Sequence, residues 1–179
     1  IVDADFDTKV CVEHTPDDDV IRFFIGDSTT ERMRFDGTTL GFFNNGHSVF
    51  VGESAGQNDD FSVNANTFVG YFSGATNVSG FHNVGVGSQS MTANTIGAFN
   101  TAVGETALFQ NTTGMSNTAL GSRTLHSNID GDENTAVGYE ALLSNTTGNE
   151  NVGVGGLSLF SNENGEQNTA IGSQSAQYN

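Results

Sequence analysis

Cysteine, proline, tryptophan and positive charge are all scarce in this 179-residue chain. It has one cysteine, Cys11, one proline, Pro16, and no tryptophan. A lone cysteine closes no internal disulfide and builds no cysteine metal cage, so between Val10 and Val12 it reads as a small buried hydrophobe of a strand. The cations are Lys9, Arg22, Arg32, Arg34 and Arg123, set against 21 acidic residues for a formal net charge of -16. Such a balance argues against a phosphate-binding surface, hence against nucleic acid, and disfavours anionic membranes. No apolar run approaches the roughly 20 residues needed to cross a bilayer, so membrane insertion is not expected, and the N-terminus lacks the pattern of a signal peptide. Because the sequence opens on Ile1 and stops inside a repeat, its address signals are expected elsewhere in a longer chain.

What is abundant is glycine, at 23 residues, with asparagine, threonine and serine throughout. This mixture disfavours long helices and suits short strands joined by tight turns. From Ser48 onward it is periodic. Segments like Asn-Thr-Ala-Val-Gly start at Asn66, Asn83, Asn100, Asn117, Asn134, Asn151 and Asn168, each 17 residues after the last. Ser48-Val-Phe-Val-Gly52 precedes them at a spacing of 18. Residues 48–179 are therefore eight copies of a coil, the first 18 residues long and the last truncated, with the consensus N-T-A-V-G-x-x-A-L-x-x-N-x-T-G-x-x. Fixed-period self-similarity is the mark of a stacked solenoid or roll.

Each coil position has a character. Position 5 is glycine in every copy and position 15 in most, marking two corners where the backbone takes positive φ or packs closely. Position 4 is always aliphatic (Val51 to Ile171) and is expected to face the core, opposed at position 9 by Met91, Leu108, Leu125, Leu142 and Leu159. Strands are expected at about positions 1–5 and 7–11, with neighbouring coils pairing at ~4.8 Å. Asparagines at positions 1 and 12 then stack into amide ladders, a structural rather than catalytic use. Small residues at positions 3 and 8 leave a thin core, which points to self-association. Phe50 and Phe68 at position 3, with Phe72, Phe81 and Phe99 nearby, predict a wider aromatic junction where the coils begin.

Residues 1–47 lack the period. Lys9–Glu13, Asp19–Ile25 and Glu31–Phe35 read as strands, with turn signals at Gly26-Asp27, Asp36-Gly37 and Asn45-Gly46, so a small antiparallel meander is expected. Too small for its own core, it should dock on the first coil or be shared between chains.

Groups that could carry chemistry are few. His14, His47, His82 and His126 fall in different coil phases or outside the array, and no nucleophile elbow is present, so no catalytic residue is assigned and no enzyme is expected. Gly85-Val-Gly87 and Gly153-Val-Gly155 recur in phase with the repeat and read as corner glycines rather than a dinucleotide loop. Asp3, Asp5 and Asp7 share one face of an extended strand and are the only calcium candidates; a solvated acidic edge is the competing reading. Asp17, Asp18 and Asp19 read as a turn. No other cofactor is expected. The sequons at Asn77, Asn111 and Asn145 lie in the asparagine corner, where structure accounts for them. Threonine at position 2 makes a single ladder interrupted by Val84 and Val152, short of the two-column surface that ice binding favours.

The run Asn100-Thr-Ala-Val-Gly-Glu-Thr-Ala-Leu-Phe-Gln-Asn-Thr-Thr-Gly114, echoed at 134–148, resembles the repeats of trimeric β-roll heads. These occur in trimeric autotransporter adhesins and in fibre or appendage proteins of tailed phages, marine and Bacteroidetes types among them. The resemblance covers about three quarters of the chain, and the 17-residue period is longer than the repeat, similar to Asn-Ser-Val-Ala-Ile-Gly, typical of adhesin heads. Asp7-Thr-Lys-Val-Cys-Val-Glu13, with Asp17–Phe23 and Glu31–Phe35, is similar to the strand-rich unit that precedes such repeats in phage fibre-like proteins. The resemblance implies a parallel homotrimer at a virion or cell surface, serving as a spacer, display surface or receptor-contacting shaft for a glycan or protein. A monomeric solenoid that binds polysaccharide or ice, or a calcium-dependent adhesive module, is the alternative.

Overall fold

The computed structural model describes the backbone of residues 8–15, 18–25, 31–35 and 40–42, and the backbone and side chains of residues 46–60 and 62–178. The fold is all-β, with no helix among the described residues, and the expected meander and solenoid are both present. Strands β1 (Thr8–Thr15), β2 (Asp18–Ile25), β3 (Glu31–Phe35) and β4 (Leu40–Phe42) form an antiparallel sheet in the order β1-β2-β3-β4. Asp18 and Asp19 belong to β2, paired with Thr15 and His14, so the acidic run is not wholly a turn. The readings placed on Asp3, Asp5, Asp7 and Asp17, and on the Cys11 side chain, lie outside the described residues.

The array contributes one strand per coil: β5 (Val49–Val51), β6 (Thr67–Val69), β7 (Val84–Val86), β8 (Thr101–Val103), β9 (Thr118–Leu120), β10 (Thr135–Val137), β11 (Val152–Val154) and β12 (Thr169–Ile171). They form an eight-stranded parallel sheet in sequence order. The register joins like to like, with Thr101 on Thr118, Ala102 on Ala119 and Val103 on Leu120. A β-solenoid results.

The second strand expected at positions 7–11 is absent from the coil, and the backbone says why. Positions 7 and 9 take positive φ in coil after coil, as at Thr106 (φ 51) and Leu108 (φ 51), or Glu140 (φ 54) and Leu142 (φ 52). A chain that is left-handed at alternate residues cannot hold an extended strand. It still bonds coil to coil: Leu108 N–H donates to the Thr124 carbonyl at 3.0 Å and Gln110 N–H to the His126 carbonyl at 3.0 Å, while Thr106 N–H reaches back to Ser88 at 2.9 Å.

Position 4 corrects the expectation too. A three-residue strand turns only its centre inward, and that centre is position 3: Ala102, Ala119 and Ala136 are fully buried. The threonine before it and the aliphatic after it face out, with Val103 at 39% and Leu120 at 37% exposed. The interior is narrow, so the small residue goes inside and the larger one outside. Position 9 behaves as expected, since Met91, Leu108, Leu125, Leu142 and Leu159 are fully buried.

In the first two coils the sizes are exchanged. Phe50 and Phe68 occupy position 3, stacked at 5.7 Å, and position 9 is Gly56 or Gly74. A Cβ on Gly56 or Gly74 would strike the Phe50 or Phe68 ring at about 2.5 Å. These rings fill the volume that leucine fills later, so the coil is not widened there; Phe68 lies wholly inside and Phe50 packs half-buried against the same core. Gly85, at mid-strand and not at a corner as its sequence context suggested, leaves room for the Phe68 ring, which a Cβ would meet at 2.9 Å. Gly153 is likewise mid-strand; Gly87 and Gly155 are the corners.

The asparagine ladders hold the remaining side of the coil. Asn100 N–H donates to Asn83 Oδ1 of the coil before at 3.0 Å, and Asn100 Nδ2 to the Gly114 carbonyl at 2.8 Å. Asn111 Nδ2 donates to that same carbonyl at 3.0 Å and to Asn94 Oδ1 at 2.8 Å. Gly114 must be glycine for closeness rather than φ, because a Cβ would meet the Gly131 carbonyl at 2.5 Å and crowd the asparagines.

Thermal or urea melts check this packing. Phe68→Ala should destabilise by about 3–5 kcal/mol through an unfilled cavity. Gly74→Leu alone should also destabilise, yet the double variant, which recreates the Ala–Leu pairing of later coils, should recover most of the loss. Asn111→Asp strips the donors from Asn94 Oδ1 and adds a buried carboxylate, and should cost about 3 kcal/mol or more.

Candidate interaction faces

Because the interior is filled by positions 1, 3, 8, 9 and 12, anything the array does is done by its outer columns. The strands set the first face. Outward residues two apart on a strand share a side, so position 2 (Val49, Thr67, Val84, Thr101, Thr118, Thr135, Val152, Thr169) and position 4 (Val51, Val69, Val86, Val103, Leu120, Val137, Val154, Ile171) lie in two parallel columns. None of these residues is charged, in a chain of net charge -16. All but Leu120 are β-branched, which stiffens them on a pleated surface. The threonine ladder is thus half of a two-column surface, which the sequence reading missed; the signal was the alternation Thr-Ala-Val around a small central residue.

The corner at positions 16 and 17 forms a second face that changes character along its length. At its start Phe81, His82 and Phe99 cluster, with Phe81–Phe99 centroids 5.0 Å apart and His82 stacked on Phe99 at 5.3 Å. Three coils later the same corner carries Asp132, Glu133, Glu150 and Glu166, all exposed. His47, just ahead of the array, has the same left-handed backbone (φ 55) as His82 (φ 55), so these two share the corner, with Ala65 between them.

A third column, position 10, holds Phe109 stacked on His126 at 5.1 Å. Arg123 pairs with Glu140 across neighbouring coils beside it. Burial pushes the His126 pKa below its usual value, Arg123 adds to the effect, and Glu140 opposes it.

No convergent chemistry emerges from these faces. Among the described residues no three of His, Cys, Asp or Glu gather as a metal site. A hollow of about 410 Å³ is lined by Ser161, Asn162, Glu163, Asn164 and Gly165, which include one carboxylate and no nucleophile–base pair. The Asp60 carboxyl, held below the ordinary range by the Ser62 hydroxyl and backbone N–H, braces a turn. The sequon asparagines Asn77, Asn111 and Asn145 are fully buried, their amides engaged in the ladder.

The His126 shift has a sign. The folded array takes up this proton less readily than the unfolded chain, so the stability it confers is complete above the ordinary pKa of 6.5 and is lost as pH falls through that value. His126→Phe, copying Phe109 and Phe160 at the same coil position, should show a smaller drop in melting midpoint than the parent between about pH 7 and about pH 5.

No family model, curated protein or solved structure matches this chain.

Proposed function

We propose that the chain is a non-catalytic structural and adhesive module, a stiff shaft or receptor-contacting surface of a fibre or appendage, in which parallel copies form a homotrimer through their Thr/Val faces. The observation that carries this reading is the uncharged two-column face of the parallel sheet, exposed on a strongly acidic chain. Elsewhere acidic residues repel an approaching copy, while this strip offers β-branched side chains and no charge to desolvate. Every added coil adds two side chains to it, so contact area grows with length as a shaft requires. Coil-to-coil hydrogen bonding along the axis gives rigidity, and repetition presents weak sites several times over, so modest contacts to a glycan or surface protein sum to avidity. Such a module works at a virion or cell surface.

Native mass measurement is the test. The parent should be a trimer, and the double variant Val103→Asp with Leu120→Asp should be a monomer whose coils still melt cooperatively, because both residues face outward. A parent that is monomeric at micromolar concentration would sink the trimeric fibre.

One observation favours a second reading. A flat face with threonine and valine columns repeating at ~4.8 Å also suits a monomer that lies against a repetitive surface such as ice or a polysaccharide. A monomeric parent that depresses freezing below melting would establish it.

A further inference from the structure

Two apolar surfaces stand out among the described residues, and they lie close together along the sequence. The first belongs to the β1–β4 sheet. Its ladders align Val10 with Phe23, Phe23 with Met33, and Met33 with Phe42 in one row, and Val12 with Ile21, Ile21 with Phe35, and Phe35 with Leu40 in a second. Between them runs the row Cys11, Arg22, Arg34 and Gly41. Residues two apart on a strand share a face, so both apolar rows fall on one face and the row with the arginines on the other. Among the described residues the sheet pairs with no other sheet. A single layer with one apolar face must cover it against another element.

The second surface is the early part of the corner at positions 16 and 17. Phe99 is 53% exposed and Val63 68%, with Phe81 and Met115 also open to solvent, as is Ile96 two residues ahead of the corner. Scattered apolar residues need no explanation, but a contiguous patch with aromatic rings in mutual contact marks an interaction site. The patch stops where Asp132 and Glu133 begin, so one half of the corner is apolar and the other acidic.

The chain itself connects the two. The corner is one continuous line of coil-to-coil hydrogen bonds: Ala65 N–H to Gly46 carbonyl, His82 to Asn64, Phe99 to Phe81 and Ser116 to Ala98, at 2.7, 2.7, 3.0 and 3.0 Å. Gly46 is its first residue, and only residues 43–45 separate it from the end of β4. Four Cα steps reach ~14 Å. The His82 rung lies two coils from Gly46, ~10 Å along the axis, and the Phe99 rung three, ~14 Å. The end of β4 therefore lies within reach of the patch.

We infer that the two-row apolar face of the β1–β4 sheet packs on the Phe81–His82–Phe99 corner of its own chain, closing the start of the solenoid. This contact does not depend on the trimeric reading. It accounts for the aromatic residues of this corner being confined to the early coils, and for the corner turning acidic beyond the reach of the sheet. A tether this short holds the two surfaces at high effective concentration, so the contact forms within one chain in preference to between chains.

Photo-crosslinking of the whole chain tests this. Replacing Phe99 with a benzophenone analogue of phenylalanine keeps an aromatic ring, and a second protein carries the same probe at Tyr139, exposed on later coils. Mixing isotopically light and heavy chains separates crosslinks within a chain from those between chains. The expected result is crosslinks from position 99 into residues 8–42 of the same chain, with none into that segment from position 139. Crosslinks from 99 to another chain, or none into residues 8–42, would overturn the proposal. In support, Phe81→Ser with Phe99→Ser should speed amide exchange in β1–β4 by about tenfold or more while exchange in β8–β12 is unchanged; equal exchange in β1–β4 would count against it.

Discussion

The carbonyl of the position-15 glycine is the point on which the solenoid depends. At Gly114 it accepts from Asn100 at position 1 and Asn111 at position 12, and each asparagine also bonds its counterpart in the preceding coil. Two columns of side chains and one column of backbone are thereby locked in phase. A one-residue slip would leave buried amides without partners, at about 1–3 kcal/mol for each group. That cost, repeated in every coil, holds the strands in strict like-on-like register.

Apolar burial plays the lesser part. Most coils bury one leucine or methionine at position 9, with alanine, glycine, serine or threonine at positions 3 and 8. The space available is so narrow that size is conserved by exchange, a phenylalanine across from a glycine in coils one and two, and an alanine or glycine across from a leucine or methionine in coils three to seven. The left-handed residues at positions 7 and 9 follow from the same confinement. They turn the chain tightly enough to bring the leucine under the strand while directing N–H groups to adjacent coils. Each such residue lies in a region disfavoured for a side chain by roughly 1–2 kcal/mol, which the inter-coil hydrogen bonds and the ladders together offset.

With the interior so constrained, the outer columns are free to vary, and they do so unevenly. Positions 2 and 4 stay uncharged through all eight strands. Positions 16 and 17 change from aromatic to acidic. The uniform columns suit a contact repeated along the axis, and the graded corner suits one made at a single height. This difference separates the self-association reading from the docking of the β1–β4 sheet.

Much of this was legible in the sequence. The 17-residue period set the coil, its number of copies and its corners, since a glycine at position 5 and asparagines at positions 1 and 12 recur only if identical residues stack. Three of the four strands of the meander were legible from alternation between turn signals; β4 was not, and β2 begins at Asp18. Direction was not legible. Aliphatic identity placed Val103 and its equivalents inside, whereas the narrow coil turns only position 3 inward, as alanine or glycine across from leucine or methionine and as phenylalanine across from glycine, and hydropathy carries no information about the radius of a turn. The second strand was likewise expected from composition and excluded by left-handed backbone at residues such as Thr106 and Leu108, a conformation their side chains do not favour on their own. Periodicity by itself determined that the chain stacks; only the tertiary structure decided which side of each strand faces out, because that depends on how much volume the closed coil leaves within.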